Sequence, residues 1–165
     1  MRDNCIITIF LNCALRLSEL ASLNIDQVNA DILSVIGKGN KERKIYMTPA
    51  VKQALAEWLT LRATKSISSD ALFISRNGGR LTTRAIQNVV KKHITASGLN
   101  PKGLSTHKLR HAAATLMYKY GHVDIRSLQQ LLGHKSIATT EIYTHVDDSQ
   151  LQAAVNANPL AMMFR

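Results

Sequence analysis

Aromatic residues make up only 5% of this 165-residue sequence, too few for a surface that stacks unpaired bases. No apolar run is long enough to span a bilayer. The greasiest stretch, "CIITIFLNCALRLSELASL", is broken by Asn12, Arg16 and Glu19. "MRDN" is followed by no small-residue cleavage site, so no signal peptide is expected. There are 2 cysteines, Cys5 and Cys13, both in one helix-like run. Two helical turns would hold them about 12 Å apart, beyond disulfide reach. Buried thiols in a reducing cytosol are expected instead. No clustered carboxylates mark a metal-dependent nuclease, and no Walker-type loop marks a nucleotide triphosphatase. Acidic side chains are scarce as well: 11 Asp and Glu against 21 Lys and Arg.

That imbalance leaves a net charge of +10 and a pI near 10.0, which favours a polyanionic partner. With a membrane and single-stranded bases disfavoured, double-stranded DNA held by its phosphates fits best. The length suits one domain with a sizeable core. Asn4 to Leu23 reads as one largely buried helix, and "ILSVIGKGNKERKIYMT" as a β-hairpin around Gly37 to Asn40. Thr48 caps a helix with Pro49 in its first position, running to about Thr64. "ALFISRNGGRLTT" reads as a short strand and glycine turn leading into a helix from Thr83 to Ser97. Further helices are expected near Thr106 to Tyr120 and Asp124 to Leu132, then a short one carrying Tyr143 and one near Ser149 to Asn156. The fold class is α+β, mainly α-helical with a small antiparallel sheet.

Ser105 to Val146 holds five of the 6 histidines. In "HKLRH", His107 and Arg110 share a helix face, either as a solvated basic surface or aimed at one target. His107 and His111 have zinc-like spacing, but Lys108 stands where a zincin would carry glutamate. Arg16 lies in an apolar run, where it either pairs with Glu19 or, braced by Glu19, turns its fork toward a phosphate. Lys38 sits in a glycine-flanked turn, as surface decoration or as an ammonium brought onto a ligand. Gly133 is placed to end a helix and fix where His134 points. Tyr143 is half-buried packing or a reactive phenol.

In order, "ALRLSEL", "GKGNKER", "HKLRH", "LLGH" and "TTEIYTHV" resemble the successive boxes of the tyrosine recombinases, the phage-integrase and Xer-type site-specific recombinases. Each box alone is weak, but the ordered set is specific and covers about residues 5 to 146. Ala14 departs from the glycine often found before the leucine-arginine pair, one small residue for another. No room precedes Arg16 for the family's N-terminal helical domain, so the chain is expected to be a catalytic domain alone.

The resemblance implies a tyrosine recombinase catalytic-domain fold, no metal and no cofactor. It implies that Tyr143 attacks a DNA phosphodiester and that Arg16 and Arg110 hold the non-bridging oxygens. Lys38 would protonate the leaving 5′ oxygen, His107 would take the tyrosine proton, and His134 would donate to the phosphate, with Glu19 in support. It also implies a tetramer on two DNA sites, as a homo-oligomer or with a related recombinase. Residues 147–165 would form a C-terminal helix and tail exchanged between protomers, in a bacterial cytoplasm at the nucleoid. A type IB topoisomerase and a non-catalytic DNA-binding domain remain the rivals.

Overall fold

Four of the described helices open on an N-cap side chain. The computed structural model describes residues 1–37, 39–65, 67–121, 123–134 and 139. Thr48 accepts from the Val51 amide to open α3 (Pro49–Ala63), and Thr82 accepts from Ala85 to open α4 (Thr83–Ala96). Ser105 accepts from Lys108 ahead of α5 (Thr106–Tyr120), and Asp124 from Arg126 and Ser127 ahead of α6 (Ile125–Leu132). Each cap satisfies an amide that the first helical turn leaves unpaired.

The run expected as one helix from Asn4 to Leu23 is two. α1 (Arg2–Cys13) ends where Ala14 turns left-handed at φ 49° and ψ 38°, and α2 (Leu17–Ser22) starts afresh after Arg16. A non-glycine residue in that region costs roughly 1–2 kcal/mol. Glycine at this position would carry no such strain, so the alanine is not conformationally neutral. The break matters for the site, since it leaves the Arg16 amide to Glu19 and the Ala14 carbonyl to Arg110. A 3-10 turn, Ile25–Gln27, follows α2.

β1 (Ile32–Ile36) and β2 (Glu42–Tyr46) pair antiparallel, with Leu33 opposite Ile45 and Val35 opposite Arg43. The strand expected at "ALFIS" is reduced to isolated bridges, Ala71 with Asn24 and Ile74 with Arg80. Scattered backbone bonds there, such as Leu72 N–H to Leu23 O at 2.8 Å, are supplemented by arginine. Arg62 donates to Ala71 O at 3.0 Å, and Arg80 to Leu23 O at 3.0 Å. Two members of the basic surplus are therefore committed to the framework.

The main core gathers Ile6, Ile9 and Phe10 of α1, Leu55 and Trp58 of α3, Ile86 and Val90 of α4, and the hairpin's inward residues. Trp58 stacks on Phe73, ring centroids 6.3 Å apart, and donates its indole N–H to Leu72 O. Burying a side chain the size of Phe10 contributes on the order of 2 kcal/mol. Cys5 and Cys13 lie in this core as buried free thiols, as expected, and burial first of all pushes each up to about 12. A second, smaller cluster (Ala14, Ala113, Ala114, Leu128 and Leu132) joins the end of α1 to α5 and α6. Its small residues bring α5 close to the Ala14 break. The helices expected to carry Tyr143 and Ser149 to Asn156, and the tail at 147–165, lie outside the described residues.

Candidate active site

Glu19 is the centre of the polar architecture. Its side chain is 4% exposed, yet it is surrounded by arginine. Its carboxylate accepts from the Arg16 amide at 2.8 Å and from Arg16 Nη1 at 2.9 Å, so it caps α2 and anchors a guanidinium together. Arg43 adds a bidentate fork, Nη1 to Oε1 at 2.8 Å and Nη2 to Oε2 at 2.9 Å. Arg110, 5% exposed, brings Nη1 within 4.0 Å of Oε2. Burial by itself would raise the Glu19 carboxyl, but the hydrogen bonds from Arg43 and Arg16 and the Arg43 charge outweigh it and hold it down at about 2. Glu19 is therefore a fixed anion at any ordinary pH.

The same arginines grip the C-terminal end of α6. Arg43 Nε donates to Leu131 O at 2.9 Å, Arg110 Nη2 to Leu132 O at 2.7 Å, and Arg16 Nη2 to Gly133 O at 3.0 Å. Arg110 Nη1 also donates to Ala14 O, the carbonyl released by the helix break. Helix-end carbonyls carry partial negative charge, so cations complement them. Gly133 is left-handed at φ 63°, and a Cβ there would lie 3.3 Å from Arg43 Nη1 and 3.5 Å from Arg16 Nη1. The expected glycine stop is thus needed for its conformation and for the close approach of two guanidiniums.

This turn delivers His134. Its backbone N–H donates to Gln129 O at 3.1 Å, and its Nε2 stands 3.3 Å from Arg110 Nη2. An arginine can only donate, so Nε2 accepts and the ring proton belongs on Nδ1. Burial, then the charges of Arg110, Arg16 and Arg43, push the imidazole down to about 4, so it is neutral at pH 7. Arg16, Glu19, Arg43, Gly133 and His134 line a cavity of about 870 Å³ that also takes in Gly37 and Lys41 of the hairpin turn. Three guanidiniums surround one buried carboxylate, so the surroundings of Glu19 carry positive charge in excess. Such a site favours an anion with several acceptor oxygens.

The structure brings together Arg16, Glu19, Arg110 and His134 of the residues singled out from sequence. His107 lies on α5 one turn before Arg110 and is exposed, outside the cavity lining. Lys38 and Tyr143 lie outside the described residues. Arg43 was missed. Its sequence signal was the strand alternation, which puts it on the same inward face as buried Ile45.

A family model described as "Phage integrase family" matches residues 1–150. The chain is similar to tyrosine recombinase XerC of Caldanaerobacter subterraneus subsp. tengcongensis, at 53% identity over 161 residues, covering 97% of this chain and 46% of that protein. It is similar also to tyrosine recombinase XerC of Pseudomonas fluorescens, at 44% identity over 165 residues, covering 97% of this chain and 54% of that protein. Among solved structures, XerA recombinase superposes with a TM-score of 0.82 at 35% identity, over 94% of this chain and 57% of that one. XerH site-specific recombinase bound to difH substrate, a pre-cleavage complex, gives 0.79 at 32% identity, over 94% and 46%. The chain spans about half the length of the curated relatives it matches. The α+β architecture is the tyrosine recombinase catalytic-domain fold, and the chain belongs to the phage integrase family.

Proposed function

We propose that this chain is the catalytic domain of a site-specific DNA recombinase, cutting and rejoining strands through a 3′-phosphotyrosyl intermediate on Tyr143. The observation that carries this reading is the cavity lined by Arg16, Arg43 and His134 around the buried Glu19 carboxylate, with Arg110 buried behind His134. Phosphoryl transfer needs mainly positioning and stabilisation of charge on the non-bridging oxygens. Preorganised guanidiniums supply both, and Glu19 fixes their orientation before DNA arrives.

The Tyr143 oxygen attacks phosphorus as the bond to the 5′ oxygen breaks. The phenolic proton passes to a base, for which His107 is the candidate, and Lys38 delivers a proton to the departing 5′ oxygen, which leaves as a hydroxyl. A phenol ionises near pH 10, so its attack at neutral pH depends on the positive surroundings. Arg16 and Arg110 hold the phosphate oxygens. A guanidinium has more N–H groups than the internal bonds of Arg16 use, so donors remain for a ligand. His134 donates a ring N–H to the phosphate. The diester energy is kept in the phosphotyrosine, so a second strand's 5′ hydroxyl reverses the step without a nucleotide cofactor. The similar XerH site-specific recombinase, solved bound to its difH substrate, supports this choice of substrate class, and recombination calls for pairing of protomers on two duplex DNA sites.

A nicked suicide duplex, from which the cut fragment diffuses away, tests the reading. It predicts a protein–DNA band that survives denaturant and forms in EDTA, followed by ligation to a second duplex carrying a 5′ hydroxyl. Nicking and closing without transfer to another duplex would mark a type IB topoisomerase activity. Binding with no covalent species would mark a non-catalytic domain.

A further inference from the structure

Arg43 makes contacts that no other described residue combines. It stands on β2, opposite Val35, with its side chain 14% exposed. Its two Nη groups fork onto both Glu19 oxygens, and its Nε reaches Leu131 O, 88 residues further along the chain. Through Glu19 it bears on Arg16, because one carboxylate oxygen, Oε1, accepts from both guanidiniums. Through Leu131 O it bears on the turn that presents His134, two residues beyond the neighbouring Leu132 carbonyl held by Arg110. Through β2 it is continuous with the hairpin turn, where Gly37 N–H donates to Lys41 O at 2.8 Å. A Cβ built on Gly37 would lie 3.6 Å from Arg43 Nη1, so the turn backbone passes directly over the guanidinium.

We infer that Arg43 is a positioning residue for the strand-cleavage reaction, joining the hairpin, the Glu19–Arg16 brace and the His134 turn into one rigid unit. The inference rests on the proposed cleavage chemistry. Its physical basis is the planar fork. Two parallel N–H···O bonds fix direction as well as distance, and the third donor fixes the plane against α6. Lysine keeps the charge but offers one point of contact, so it cannot hold the carboxylate and the Leu131 carbonyl in a single plane. Small misplacement of groups around a reacting phosphate costs rate steeply while leaving ground-state binding nearly unchanged.

The test measures single-turnover cleavage of the suicide duplex at saturating protein, with DNA affinity and urea unfolding measured alongside. The set is the unaltered chain, Arg43→Lys, Glu19→Gln and the double variant. The expected result for Arg43→Lys is a rate loss of about tenfold to a hundredfold, with affinity changed less than about threefold. Because Arg43 acts through Glu19, the same replacement made in the Glu19→Gln background should cost less than about threefold more. A purely structural role gives independent, multiplying losses that follow the unfolded fraction, and that pattern overturns the inference. So does an Arg43→Lys variant that cleaves as fast as the unaltered chain, or one whose affinity falls as far as its rate. If the unaltered chain forms no covalent adduct, the cleavage reading itself fails and takes this inference with it. That outcome is distinct from active protein with an indifferent Arg43.

Discussion

Glu19→Gln keeps the side-chain shape, removes its charge and leaves Arg16, Arg43 and Arg110 facing one another. The carboxylate accepts from the Arg16 amide, Arg16 Nη1, and Arg43 Nη1 and Nη2. An amide has a single acceptor oxygen, and its NH2 would point at guanidinium donors. The carboxyl falls from an ordinary 4.5 to about 2, despite burial that opposes ionisation. That difference corresponds to roughly 3 kcal/mol in favour of the charged form, the scale of breaking a buried ion pair. The folded value lies below the unfolded one, so this stability is complete above about pH 4.5 and fades as pH falls toward 2. At pH 3 the unfolded carboxyl is mostly protonated and the folded one still ionised, so ~2 kcal/mol of the contribution is already lost. Urea unfolding of both proteins at pH 7 and pH 3 measures it. The glutamine variant should be less stable by roughly 3 kcal/mol at pH 7, with the gap narrowing by ~2 kcal/mol at pH 3. A gap below ~1 kcal/mol at pH 7, or one indifferent to pH, would refute Glu19 as the charged keystone.

Other perturbations separate the parts of the site. Arg110→Lys keeps a charge but loses the contacts to Ala14 O and Leu132 O, so suicide-substrate cleavage should fall by about a hundredfold or more with affinity little changed. Equal losses of both would make Arg110 an ordinary backbone contact. Gly133→Ala puts a Cβ against Arg43 and Arg16 at a left-handed residue, and should cost roughly 1–2 kcal/mol in thermal or urea unfolding. An unchanged midpoint would mean that the turn relaxes freely. His134 has a folded value of about 4, below its unfolded 6.5, so its contribution is complete above pH 6.5 and is lost as pH falls toward 4. Unfolding curves of His134→Gln should lack that limb, and the same slope in both proteins would assign it elsewhere.

The sequence showed the framework better than the joints. The cap at Thr48 and the glycine stop at Gly133 are local signals, and the helices they bound fall where those signals put them. The break at Ala14 has no such signal. Alanine favours helix, and the left-handed turn is held from afar by Arg110 on its carbonyl. Arg16 and Glu19 were legible as a pair three residues apart, but that pairing hid the larger fact that Glu19 serves several arginines. Arg43 is put on the inward face of the hairpin by strand alternation, which does not name what it meets there. Its partners Glu19 and Leu131 are 24 and 88 residues away, a separation that no periodicity reveals. His107 and Arg110 lie one turn apart on α5, where Arg110 is buried on the Ala14 carbonyl and His107 is exposed.

The most direct measurement is peptide mapping of the covalent complex. The chain is trapped on a nicked suicide duplex in EDTA, digested, and the nucleotide-bearing peptide sequenced by mass spectrometry. The account predicts a phosphodiester on Tyr143 alone, with Tyr46, Tyr118 and Tyr120 unmodified, and no adduct from a Tyr143→Phe chain that still binds DNA. Attachment at another residue, or adduct formation by the phenylalanine variant, would contradict it.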